Sequence, residues 1–190
     1  MSIGRFSAKM WLVEIMQRTL ATETLSQVGK SVLLKGWVQT RRDHGKLIFI
    51  DLRDRTGIIQ IVFNPKVSEK AHGIAMELRS EFVIVVTGKV NKRPENLINP
   101  KIATGTVELE ATELDIISRA ETLPFDMGAE TLNLELPTLL DHRSLILRHP
   151  KISAIFKVQE TIAQSFRKTL TDNGFTEIFV PSIVPSTTEG

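Results

Sequence analysis

Residues 31–63 read SVLLKGWVQTRRDHGKLIFIDLRDRTGIIQIVF, and the fold follows from how this stretch divides. Ser31–Arg42 carries Val32, Leu34, Trp37 and Val38, a composition suited to a strand. Asp43-His44-Gly45-Lys46 is turn chemistry, because glycine takes a positive φ without a Cβ clash. Leu47–Arg53 is a second strand, Asp54-Arg55-Thr56-Gly57 a second turn, and Ile58–Phe63 a third strand.

Outward from there the period changes. Ser68–Arg79 places Ala71, Ala75 and Leu78 at helical spacing, with Ser68 as N-cap. Strand character returns over Phe82–Asn91, a Pro/Asn-rich loop covers Pro94–Pro100, and Val107–Ile117 is a fifth strand. The order β-β-β-α-β-β is that of an OB-fold barrel, so the fold class is mainly β with some helix (α+β). Such barrels bind oligonucleotides on the face of strands two and three and on the neighbouring loops.

The flanks are less regular. Residues 1–28 read as a weakly determined lead-in with a short helix around Met10–Arg18. Residues 119–145, punctuated by Pro124 and Pro137, show no clear period and read as a hinge. Lys151–Thr171 then sets Ile152, Ile155, Phe156, Ile162, Phe166 and Leu170 on one helical stripe, closed by Asn173-Gly174. Phe175–Val180 reads as a short strand stopped by Pro181, since proline removes a ladder donor. Residues 1–118 thus form lead-in plus barrel, 119–145 the hinge, and 146–190 a further unit.

Bulk properties exclude several classes. Hydrophobic residues make up 42% and charged residues 24% of the 190, which argues against disorder and fibrous folds. With no cysteine there is neither a disulfide framework nor a thiolate metal site, and four scattered histidines make no zinc cluster. The longest apolar run near the N-terminus, Met10–Val13, is broken by Glu14 and is too short to span a membrane. Cytoplasmic residence follows as the expectation. A net charge of +2 does not itself mark a nucleic-acid binder. Its distribution matters more, and basic residues gather at Arg41-Arg42, Lys89–Arg93 and His142–Lys151.

Several side chains suit RNA. Phe49 and Asp51 share one face of the second strand, opposite Ile48, Ile50 and Leu52, so Phe49 faces outward. An outward aromatic on such a barrel stacks an unstacked base, unless it is one of the many solitary exposed apolar residues. Gln60 stands in an apolar strand, where its amide either reads a base edge or is an ordinary exposed strand residue. Arg41 and Arg42 point to opposite faces, so only one faces RNA, to grip phosphate or a guanine edge. Glu108 on the fifth strand can accept from a base amino group.

Three segments carry a family likeness. GWVQTRRDHGKLIFIDLRDRTGIIQ (Gly36–Gln60) closely resembles the anticodon-binding barrel of aspartyl-tRNA synthetases. NPKIATGTVE, within Pro94–Glu108, resembles that family's loop into the fifth strand. NGFTEIFVPSIVPSTTEG (Asn173–Gly190) resembles class II motif 1, a helix then a strand ending in proline. The likeness covers roughly residues 18–190, and RRDHG followed by LIFIDLRDR favours aspartyl over lysyl and asparaginyl enzymes. It implies that residues 146–190 open a class II α/β catalytic domain.

The resemblance also implies site residues. Arg42, Phe49, Gln60, Asn99 and Glu108 match anticodon contacts. His44, in the RRDHG turn, lies by the wobble end of the anticodon in the family arrangement; it is either a determinant of discrimination between aspartate and asparagine tRNAs or an innocuous turn residue. Pro181 matches the motif 1 proline of the dimer interface, and Glu189 a glutamate of the mobile loop over aspartate and its adenylate. The parent enzyme would be a homodimer using ATP and Mg2+. The motif 2 and motif 3 arginines that hold ATP lie beyond motif 1 in family members. No complete catalytic set is therefore expected here: no metal site, no cofactor bound by this chain, and no aspartyl-adenylate formed unaided. The competing readings are a freestanding OB-fold nucleic-acid module, against which the motif 1-like segment argues, and an asparaginyl or lysyl relative, against which RRDHG argues.

Overall fold

In the computed structural model, residues 17–179 are described. The chain divides into two compact units, Met1–Glu130 and Thr131–Gly190. The first is a closed five-stranded barrel, ordered β1-β2-β3-β5-β4 and shut by pairing of β4 with β1. Its strands are β1 (Ser31–His44), β2 (Leu47–Arg53), β3 (Ile58–Phe63), β4 (Val83–Lys92) and β5 (Val107–Ser118). A helix, α1 (Glu69–Ala75), lies between β3 and β4 and packs on β3 and β5. All pairings are antiparallel except β3 with β5, a parallel seam of two registered pairs, Ile61 with Leu109 and Val62 with Glu110.

Alternation builds the core. Ile48, Ile50 and Leu52 of β2 and Ile59, Ile61 and Phe63 of β3 point inward, at most 4% exposed. Each such side chain contributes about 1.5–3 kcal/mol by leaving water. Gly88 permits close approach at the β4–β5 contact: a Cβ there would run into the Glu110 carbonyl.

The β1–β2 hairpin is tighter than the sequence suggests. His44 pairs with Leu47, so it is the last residue of β1, and the turn is Gly45-Lys46 alone. Gly45 at φ +60° supplies the positive φ that a two-residue hairpin demands. A bulge between Val38 and Thr40 turns Gln39 aside, and its Nε2 donates to the Met127 carbonyl at 2.9 Å.

Other departures have physical causes. The helix expected over Ser68–Arg79 stops at Ala75, although Ser68 does cap it through Oγ to the Ala71 N–H. Past Ala75, tight i→i+3 bonds replace the helical ladder, and the Arg41 guanidinium takes the carbonyls of Met76 and Leu78. The helix expected near Met10–Arg18 lies mostly outside the described residues, and Arg18 is not helical but bridges to Leu33. The described lead-in is well packed: Ala21 and Thr24 are buried, a 3-10 turn covers Thr22–Ser26, and the Ala21 N–H donates to Asp54 at 2.8 Å.

The second unit is helical. The stretch read as lacking any period holds α2 (Leu136–Asp141) and α3 (Arg143–Ile146). Pro137 sits in the first turn of α2, where its missing N–H costs nothing, so it opens a helix rather than breaking one. The long helix α4 runs Pro150–Asp172 and ends as expected at Asn173-Gly174. Gly174 at φ +83° donates to Thr171 and Phe175 to Leu170, a Schellman arrangement. Residues 175–179 form no strand, because no neighbouring strand among the described residues offers them a ladder. Ile155, Ile162 and Phe166 on the α4 stripe stand exposed.

Candidate nucleic-acid interface

Strand register places the polar groups in two rows on the outer face of the barrel. One row runs Arg42, Phe49, Val62, Glu110, Lys89; the other begins Thr40, Asp51, Gln60. The pleat of each strand sets these residues on the side away from the core. Phe49 is half-buried, and the His44 ring stands edge-on to it at 6.2 Å between centroids and 87° between planes. This T-shaped arrangement is one of the preferred geometries of a ring pair and holds the two side chains against each other.

Asp51 ties the rows together. Its carboxylate accepts from Thr40 Oγ1 at 2.6 Å and from Arg42 Nη2 at 2.8 and 3.0 Å. Arg42 keeps half of its side chain in solvent, 51% exposed, while Asp51 is 20% exposed. Arg41 goes the other way, to Met76 and to Asp43, whose exposed carboxyl is held below the ordinary range by the Arg41 hydrogen bond.

A second network lies around Gln60, which is 5% exposed rather than the exposed strand residue that composition favoured. Its Nε2 donates to Glu108 at 3.3 Å, and its Oε1 accepts from Arg93 Nη1 at 3.3 Å. Arg93 Nε lies 3.6 Å from the same Glu108 oxygen. Burial pushes the Glu108 carboxyl above the usual range, the Arg93 guanidinium draws it back, and Glu110 adds to the rise. The amide is held with its oxygen toward the cation and its nitrogen toward the anion.

Of the residues expected at the site, Arg42, His44, Phe49, Gln60 and Glu108 gather on this one face. Asn99 makes its bonds within the loop before β5: Oδ1 accepts from the Lys101 N–H at 3.0 Å, and its own N–H donates to Gly105 at 3.1 Å. Pro181 and Glu189 lie outside the described residues. Asp51 and Arg93 went unassigned from sequence. Asp51 shared a face with Phe49, and Arg93 ended a basic run, but neither signal named a partner. Among the described residues, no group of three or more His, Cys, Asp and Glu could hold a metal ion, and no helix is long and apolar enough to cross a membrane.

The arrangement matches known proteins in two parts. A family described as OB-fold nucleic acid binding domain matches residues 32–117, and one described as tRNA synthetases class II (D, K and N) matches residues 135–190. An aspartate–tRNA ligase of Macrococcus caseolyticus is 49% identical over 167 residues, 88% of this chain and 28% of the relative. That of Bacillus licheniformis is 46% identical over the same shares. The chain thus spans 28% of the length of these relatives. The solved asparaginyl-tRNA synthetase from Pyrococcus horikoshii, complexed with asparaginyl-adenylate, is 32% identical with a TM-score of 0.75, covering 93% of this chain and 39% of that one.

Proposed function

We propose that this chain is part of a class II tRNA synthetase of the D, K and N group, and that its barrel reads the anticodon loop of aspartate tRNA for an aspartate–tRNA ligase. The observation that carries this reading is the outer face itself: one stacking ring, one exposed guanidinium and one charge-oriented amide set in adjacent rows. Sequence-specific RNA recognition targets loops whose bases can be splayed out, stacked on aromatic rings and bonded along their edges. Phe49 supplies the stack. Beyond its bonds to Glu108 and Arg93, the Gln60 amide keeps one N–H and one oxygen lone pair for a base edge, Glu108 accepts from a base amino group, and Arg42 grips phosphate or a guanine edge.

The rest of this reading concerns the whole enzyme: attachment of aspartate to tRNA through aspartyl-adenylate, in the cytoplasm, by a homodimer. ATP and Mg2+ would supply the activation of aspartate. The described residues offer no acidic cluster for the metal, and no step through these groups is assigned to them. Asn99, Pro181 and Glu189 keep the roles the family implies: anticodon contact, dimer interface and closure over aspartate. His44, edge-on to Phe49, is the candidate for admitting asparagine tRNA as well.

The test is a fluorescence anisotropy titration of this chain with aspartate tRNA, asparagine tRNA and anticodon-altered aspartate tRNA. Loss of affinity on altering the anticodon is expected, with a steep fall in affinity as salt rises. Equal affinity for every anticodon would refute the reading and leave a generic nucleic-acid module.

A further inference from the structure

We infer that Asp51 is a positioning residue for RNA binding: it holds Arg42 beside the Phe49 ring with its remaining donors turned outward. The inference rests on the reading of this face as the anticodon-binding surface. A carboxylate on a surface that meets RNA is unfavourable by charge alone, because it repels phosphate. Its geometry gives it another use. Both Asp51 oxygens lie on a single Arg42 nitrogen, Nη2, at 2.8 and 3.0 Å. A guanidinium has five N–H donors, so Nη1 and Nε are left for a ligand.

The anchor is itself anchored. Thr40, directly opposite Asp51 in the ladder, donates to Oδ2 at 2.6 Å, and the carboxylate is only 20% exposed. Arg42 is directly opposite Phe49. A guanidinium fixed there meets the phosphate or the edge of a base stacked on the ring, without ordering a long flexible side chain at the moment of binding. An arginine on the row that carries the aromatic, paired with a carboxylate on the next row, is therefore a pre-set grip.

Two accounts predict opposite signs for D51N. If Asp51 only contributes charge, D51N tightens tRNA binding. If it positions Arg42, D51N weakens binding by roughly three- to tenfold, and in an R42A background the same change has no effect or tightens binding. The experiment is a double-mutant cycle of D51N and R42A in this chain, with dissociation constants for aspartate tRNA and melting temperatures recorded for each variant. D51N binding as tightly as wild type, or more tightly, while R42A is weakened overturns the proposal and leaves the reading of the face intact. R42A binding like wild type, or wild type indifferent to the anticodon, overturns that reading and the proposal with it. If D51N does not fold, T40V loosens the same carboxylate. Weakened binding by folded T40V supports the proposal, and unchanged binding overturns it.

Discussion

Arg41 and Arg42, adjacent in sequence, end on opposite sides of β1: Arg41 Nη1 donates to the Met76 carbonyl at 2.6 Å beyond the end of α1, while Arg42 Nη2 meets Asp51 on the outer face. The two should therefore separate cleanly. R41A should lower stability by about 1.5–3 kcal/mol, the worth of hydrogen bonds to a charged group, and leave the affinity for tRNA nearly unchanged. R42A should cost stability at most about 1 kcal/mol, as befits a half-exposed pair, and weaken tRNA binding. Urea midpoints and anisotropy titrations on both variants decide it. Loss of binding in folded R41A with none in R42A would reverse the assignment of faces.

Phe49→Ala should weaken tRNA binding by about 1–3 kcal/mol, the value of stacking one base on an aromatic ring. The ring is half-buried on the outer face and is not part of the buried cluster inside the barrel, so the melting temperature should move little. A collapse of the melting temperature with unchanged affinity in the folded fraction would make Phe49 a packing residue instead.

Glu108 carries a pH dependence with a definite sign. Its carboxyl in the folded barrel is raised, first by burial, so the folded state holds this proton to higher pH than the unfolded chain does. Between the ordinary carboxylate range and the raised value, stability contributed at this residue falls as pH rises. Relative to E108Q, the wild type should lose stability across that window. Urea midpoints of both proteins at a series of mildly acidic pH values measure the difference, and a wild-type stability that rises relative to E108Q as pH rises would contradict the assignment.

Arg53 and Glu81 form an ion pair at 2.8 Å with side chains 13% and 5% exposed, and Glu81 sits at φ +65°. Arg53→Met removes the guanidinium from both Glu81 and Gln39 and should cost about 3–5 kcal/mol, visible as a lower urea midpoint. A loss under 1 kcal/mol would mean that the carboxylate finds water or another donor once the arginine is gone.

How far the sequence could be read varied with the range of the interaction that decides each feature. β2 and β3 begin and end where turn residues and alternation place them, because those signals are local. The shortened α1 was not legible, because Arg41, from another strand, takes carbonyls past its end. Gln60 looked exposed for a similar reason: its cover comes from Arg93 and Glu108, 33 and 48 residues away. The aromatic was legible because alternation assigns its face, whereas alternation put Arg41 and Arg42 on opposite faces and only the family resemblance chose Arg42. Asp51 was visible only as a polar marker, since nothing local reveals that its oxygens lie on Arg42. The strand expected after α4 fails because strand character is a property of a pair of segments, and the described residues hold only one of them.

The parallel seam also fixes when the barrel becomes usable. β3 meets β5 through two registered pairs, and Gln60 reaches Glu108 across that seam. Closing it means bringing together segments almost fifty residues apart, after α1 and β4 have taken their places between them. A chain emerging from the ribosome therefore shows its hairpin ring and arginine early, and acquires an oriented Gln60 amide only once residue 110 has cleared the tunnel. The Gln60 amide therefore owes its orientation to the part of the barrel that is made last.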